Sequence, residues 1–275
     1  MRDLVVSPTR SGPPPDLASG LMTLARVALA PVASLPRTAA RLPDLLRALG
    51  ERGLAIPAAR RRTPHAGLAL RALAGFVRAD GDLREGYLSL LTATMDRAIA
   101  DEVHPAFVDL LAQLDGDELR LLASLGTDGP FPLLSLSSRL RHGGASRVEL
   151  RHFSLLGVRA GCGNPARTPA YVDNLARLGL VEIRPTRMAD DVRAFQELED
   201  HPTVVAARER IEEQPPVRIG PISEPIVADT QYKLMSVTAF GRQFRAACFF
   251  RPDSFDTTDT GLTGPRGGNT PTGRA

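Results

Sequence analysis

Tryptophan is absent from this 275-residue chain, lysine occurs once, at Lys233, and aromatic side chains make up 5% of residues. The apolar content, 43% of the chain, rests on Leu and Ala, which favours helix over sheet. The near absence of lysine among 34 basic residues reads as the codon usage of a GC-rich bacterial genome. Two cysteines, Cys162 and Cys248, have no partners at metal-ligand spacing, so neither a zinc site nor a disulfide framework is indicated, as suits a reducing cytoplasm. No apolar run reaches the ~20 residues of a bilayer span. The best candidate, 21–35, is broken by Arg26 and Pro31, and Asp16 with the prolines before it argues against a cleaved signal peptide.

What the chain does have is an uneven charge. The net charge is +3, yet residues 1–79 hold 12 Arg against 4 acidic residues. Such an Arg-rich N-terminal half could meet DNA or an anionic membrane surface, although a solvated arginine-rich face is the plainer reading. Leu24, Val27 and Ala28 offer an apolar side that could lie on the inner membrane, with Arg26, Arg37, Arg41 and Arg47 toward headgroups. The same leucines could instead dock on the helices of residues 68–114.

Residues 1–19 and 251–275 have little to bury and read as disordered tails. Helices are expected over 21–33, 42–50 and 68–78. Leu83, Tyr87, Leu90, Leu91, Met95, Ile99 and Val103 recur at three- and four-residue intervals, which predicts one continuous helix with a capping-box-like start at Asp82 and Glu85. Pro105 should end it and open a second helix bearing Phe107, Leu110, Leu111 and Leu114. A short helix over 118–125 should be capped by Asp117 and stopped by Gly126. Extended segments follow at 132–137 and 146–150. A helix then opens with Thr168-Pro169 and closes at Gly179, and strands are expected over 180–184 and 232–237, with a helix over 189–199 and an extended stretch over 214–225 between them. A last helix starts at Thr238. The fold class expected is mainly α with a small β component: an α-helical domain over 20–115, then a winged-helix-like α+β domain over 116–250 with a long insertion at 186–230.

Two blocks, Leu90-Leu91-Thr92-Ala93-Thr94-Met95-Asp96 and Val103-His104-Pro105-Ala106-Phe107-Val108, together with Asn174 to Val181 and a terminal Thr-x-Phe-Gly-x-x-Phe at Thr238 to Phe244, resemble the Abi-alpha (abortive infection alpha) family in the same order over roughly 25–250. The resemblance implies a bacterial phage-defence role and no catalytic residues. The motif positions Met95, Asp96, His104, Pro105, Phe107, Asn174, Leu178, Gly179, Phe240, Gly241 and Phe244 are therefore carried as structural markers. The chain departs from the family at Arg60-Arg61-Arg62-Thr63-Pro64, where relatives tend to carry an acidic Glu-Pro element.

His104, with Asp96, Asp101 and Glu102 near it, is the sharpest candidate for chemistry or metal ligation. A His before Pro can equally cap a helix, and the two aspartates can pair with Arg97 or face water. Gly161-Cys162-Gly163 lacks the third glycine of a dinucleotide turn. No catalytic, cofactor-binding or metal site is assigned and no small-molecule substrate is evident. A winged helix would allow DNA contacts from Arg167, Asn174, Arg177 and Arg184, but one arginine within the helix is little charge for several phosphates. The expectation is a non-enzymatic cytoplasmic protein with an unknown protein partner and room for peripheral contact with the inner membrane. A winged-helix transcriptional regulator is the alternative.

Overall fold

The computed structural model describes residues 36–126, 129–144, 146–187 and 192–252. Among the described residues, ten α-helices and a small antiparallel sheet make a mainly α fold. The expected helix at 21–33 and both expected tails lie outside the described residues, save 251 and 252.

The front half is helical. Helix α1 (Pro36–Ala55) is longer than the sequence suggested, with Pro43 inside it, and α2 spans Ala66–Arg78. Helix α3 (Gly81–Thr94) ends nine residues before Val103, which corrects the continuous helix expected there. Met95, Ile99 and Val103 are buried as the spacing demanded, but from an irregular segment containing one 3-10 turn over Ala100–Glu102. The helix after Pro105 is short, α4 (Phe107–Leu111). The start of α3 also differs: Asp80 holds the cap position, while Asp82 pairs with Arg120 and Glu85 with Arg52. Helix α5 (Gly116–Ser124) is closed by a true capping box, Asp115 with Glu118, so Asp117 is released from the capping role predicted for it.

The back half is built on a four-stranded antiparallel sheet. Strand β1 (Phe131–Leu140) and β6 (Ile226–Val237) pair from Phe131↔Met235 to Leu140↔Ile226, far more than the short segments expected. Strand β2 (Ser146–Phe153) joins β1 through an irregular register, and β3 (Val181–Thr186) pairs with β6. One sheet face, through Leu133, Val181 and Met235, belongs to the main core, with α3, α4, α6 (Leu156–Arg159), α7 (Thr168–Arg177) and α10 (Ala239–Cys248). That core runs without interruption from Leu45 to Phe250. Each fully buried Leu or Phe in it contributes about 2 kcal/mol.

The insertion at 186–230 covers the other face. Helices α8 (Val192–Glu199) and α9 (Pro202–Glu212) bring Phe195, Leu198, Val204 and Ile211 onto Leu134 and Leu136. The stretch expected to be merely extended forms a hairpin, β4 (Val217–Ile219) with β5 (Ile222–Glu224). Gly179 closes α7 in the left-handed region at φ 72°, as the sequence required.

Candidate functional site

The Met-Asp…His-Pro junction is a folding device before it is anything else. At the end of α3 the hydroxyls of Thr92 and Thr94 donate back to the carbonyls of Leu88 (2.8 Å) and Leu91 (2.6 Å), a bonding pattern that weakens a helix. Asp96 then turns inward and is fully buried. Arg60 meets it with both ends of its fork, Nε to Oδ1 at 2.9 Å and Nη2 to Oδ2. The Ala98 N–H supplies a further bond of 2.9 Å. Asp96 therefore pairs with Arg60 and not with Arg97. Its carboxylate is filled with donors.

The triple arginine, Arg60 to Arg62, is the other half of this device. Arg61 donates to the carbonyls of Ile56 and Leu54 at 2.8 Å each, and Arg62 to Asp101 at 2.7 Å. Backbone bonds from Arg62 to Met95 (2.9 Å) and from Arg97 to Arg60 (2.8 Å) lace the two segments together. Met95 packs with Ile56 in a small cluster beneath. Five arginines of the basic front, Arg47, Arg52, Arg60, Arg62 and Arg71, pair with carboxylates, while Arg61 and Arg78 donate to backbone carbonyls.

His104 is exposed, and its Nδ1 accepts the Ala106 N–H at 3.1 Å, a local cap. Its ring lies 5.9 Å from Phe107 and 5.6 Å from Phe240, while Phe107 meets Phe240 at 5.3 Å and Phe244 at 5.4 Å. The fold thus gathers residues of two distant motif blocks into one aromatic cluster. Arg71 braces the turn through the Pro105 carbonyl at 2.9 Å. Among the described residues no group of three or more His, Cys, Asp and Glu side chains converges as metal ligands would.

Asp117, freed from capping, holds the loop after α6. It accepts the N–H groups of Gly163 (2.8 Å) and Asn164 (2.9 Å), the Tyr171 hydroxyl (3.0 Å) and Arg120 (2.8 Å). The Gly163 and Asn164 amides are the main reason its carboxyl is held below the usual range. Burial, and then Asp117 itself, push the Tyr171 phenol up to about 12. The amides that a Gly-rich turn could offer a phosphate are already occupied here.

The positions considered for nucleic acid have partners within the fold. Asn174 faces α5: its amide donates to Glu118 at 2.9 Å and to the Gln113 carbonyl at 3.1 Å. Arg177 is tied to Asn174 and Gln113, Arg184 to Glu182, and Arg167 lies 5.8 Å from the Tyr171 ring centre. Asp173, read as outward, is engaged by Arg151 and lies beside His152. Leu178 packs on the main core, and the Gly179 carbonyl accepts the Thr238 hydroxyl at 2.6 Å. Gly241 is where α10 crosses the Leu180 backbone: an added Cβ would sit 2.0 Å from that carbonyl oxygen.

With the junction, α7 and α10 in place, the order and spacing of the motifs can be compared with known proteins. The family description "Abortive infection alpha" matches residues 37–248. The chain belongs to the abortive infection alpha family. No curated protein matches the chain. A solved structure of an uncharacterized protein from the hydrocarbon-degrading marine bacterium Alcanivorax borkumensis SK2 is similar over 56% of this chain and 96% of its own, at 24% identity and a TM-score of 0.35. Within the family frame, one cluster escaped the sequence reading: His152, Asp173 and Lys233, drawn from β2, α7 and β6. The only signal for it was the solitary lysine, which composition alone attributes to codon usage.

Proposed function

We propose that this member of the family is a cytoplasmic phage-defence protein that acts through contacts rather than catalysis. Family membership is the observation that carries the reading. The use made of the candidate groups supports it: Asp96 is filled by Arg60, His104 caps its own turn, and Asp117 clamps a loop. The helical half is proposed to engage a protein partner. A cleft of about 500 Å³ between α2, α3 and α4, lined by Gly75, Leu83, Tyr87, Val108 and Leu114 with Arg71 and Arg78 at its rim, is a place for an apolar segment of that partner. An anionic membrane surface is a second contact in this reading, through Arg26, Arg37 and Arg41. The regulator alternative, with DNA read by α7, has less behind it, because Asn174 and Arg177 are spent on α5 and the loop before it.

The test is phage plating efficiency and culture survival at low and high phage-to-cell ratios, with and without the gene. Fewer plaques, with culture collapse only at the high ratio, is the expected result. No effect over a broad phage panel would overturn it. Liposome pelleting of the full chain against a version lacking residues 1–50 separates out the membrane contact, which equal pelleting would remove.

A further inference from the structure

Lys233 stands on β6, the strand flanked on both sides by others, in register with Leu133 of β1 and Pro185 of β3. It is half-buried on the sheet face shared with α7. Its Nζ lies 3.4 Å from Nε2 of His152. His152 is buried, and Asp173 Oδ1 sits 3.0 Å from its Nδ1 but out of line with a ring N–H, so Nδ1 has no hydrogen-bond partner. Arg151 occupies the Asp173 carboxylate with two bonds, of 2.7 and 3.1 Å.

The backbone explains how this group is aimed. Between the pairs Leu134↔Phe153 and Leu136↔Leu150, two residues of β2 face the single residue Ser135. His152 adopts φ 47°, the left-handed region that costs a side chain, held there by its N–H bond to Ser135 Oγ at 3.1 Å. A strained bulge, a buried imidazole set between the Asp173 carboxylate at Nδ1 and the Lys233 amine at Nε2, and the sole lysine thus coincide, a combination that clusters at sites of chemistry. Burial, then the Arg151 cation, push the Lys233 amine down against the pull of Asp173, and burial, then Lys233, push the His152 imidazole down. Lowered basicity raises the share of neutral, nucleophilic amine near neutral pH.

We propose that Lys233 is a nucleophilic amine that condenses with a small aldehyde to form an imine, His152 relaying the proton. The amine lone pair forms a C–N bond to the carbonyl carbon as the C=O π bond opens, and one of the two nitrogen protons passes through His152 Nε2 to the oxygen, giving a hydroxyl. The second nitrogen proton follows the same route as the C=N bond forms, the C–O bond breaks and the hydroxyl leaves as water. One aldehyde enters and one water departs, with no oxidant or reductant consumed.

The experiment uses the full chain with propanal and cyanoborohydride at pH 7, the hydride fixing the imine as a secondary amine that peptide mass mapping locates. Because Lys233 is the sole lysine, the same residue in the urea-unfolded chain is its own reference and no variant is needed for the first comparison. Lys233 is expected to react faster in the folded chain, by at most about tenfold for each pK unit of depression. His152→Gln is expected to slow the folded rate toward the unfolded one, and Lys233→Arg to leave only the terminal amine labelled. A folded rate equal to or below the unfolded rate overturns the proposal. A His152→Gln protein that melts as the parent does and labels as fast removes His152 from it.

Discussion

The Asp96 junction and the His152 bulge each bury a titratable side chain, and they treat it in opposite ways. Asp96 is surrounded by donors, two from Arg60 and one from the Ala98 amide, on a backbone without strain. His152 keeps an imidazole nitrogen unsatisfied, a cation at 3.4 Å and a left-handed backbone. A buried polar group that is fully satisfied fixes geometry, whereas one left open is a cost that the surrounding packing must carry. The first region holds the helices in place. The second is held in place by everything around it.

The sharpest way to break the contrast is Asp96→Ala. It leaves the Arg60 guanidinium facing a buried void, and removing one partner of such a pair costs about 3 kcal/mol, toward the lower end of the usual range because Arg60 keeps 23% of its side-chain exposure. Urea unfolding measures it; a loss below about 1 kcal/mol would place the junction among ordinary surface pairs. Next in size is Gly241→Ala. The added methyl meets the Leu180 carbonyl, a backbone atom that cannot swing aside, so α10 must retreat and take Phe240 and Phe244 away from Phe107. Overpacking of this kind costs about 2 kcal/mol, and a thermal melt that does not move would mean that α10 has slack at this crossing.

These two sites differ in how much of them the sequence reveals. Buried leucines and aromatics at helical spacing mark Tyr87, Leu90, Leu91 and Phe107 correctly, since burial follows from periodicity wherever the backbone stays regular. Periodicity misleads after Thr94, because Met95, Ile99 and Val103 keep a helical spacing while lying on an irregular segment whose course is set by Arg60, more than thirty residues away. The Asp115-x-x-Glu118 capping box was legible as a pattern; assigning the cap to Asp117 misplaced it by two residues and hid the clamp on Gly163 and Asn164. The long β1–β6 ladder joins segments nearly a hundred residues apart, a pairing that no local signal announces. The His152 cluster is harder still: its three members come from three elements, and the bulge that aims them depends on register alone.

Smaller effects sharpen the other side of the comparison. Burial and the Lys233 cation hold His152 below its ordinary value of 6.5. As pH falls through about 6.5 the unfolded chain binds a proton that the folded chain refuses. Stability from this group is therefore complete above that pH and declines below it until the folded imidazole titrates, with a slope of at most about 1.4 kcal/mol per pH unit. Unfolding free energies compared between the parent and His152→Asn over pH 7.5 to about 5.5 should show the parent losing the additional stability. Parallel curves would mean that the imidazole is as easily charged in the folded chain.

The same variant at pH 8, where His152 is neutral folded or unfolded, gives the smallest expected change. Asparagine adopts a left-handed backbone more readily than most side chains, and the substitution deletes a buried nitrogen that had no aligned hydrogen bond. Lost packing and relieved strain should nearly offset, leaving stability within about 0.5 kcal/mol of the parent, against about 3 kcal/mol for Asp96→Ala. If His152→Asn instead costs as much as the junction substitution, the imidazole is a structural keystone like Asp96, and the distinction between a closed site and an open one disappears.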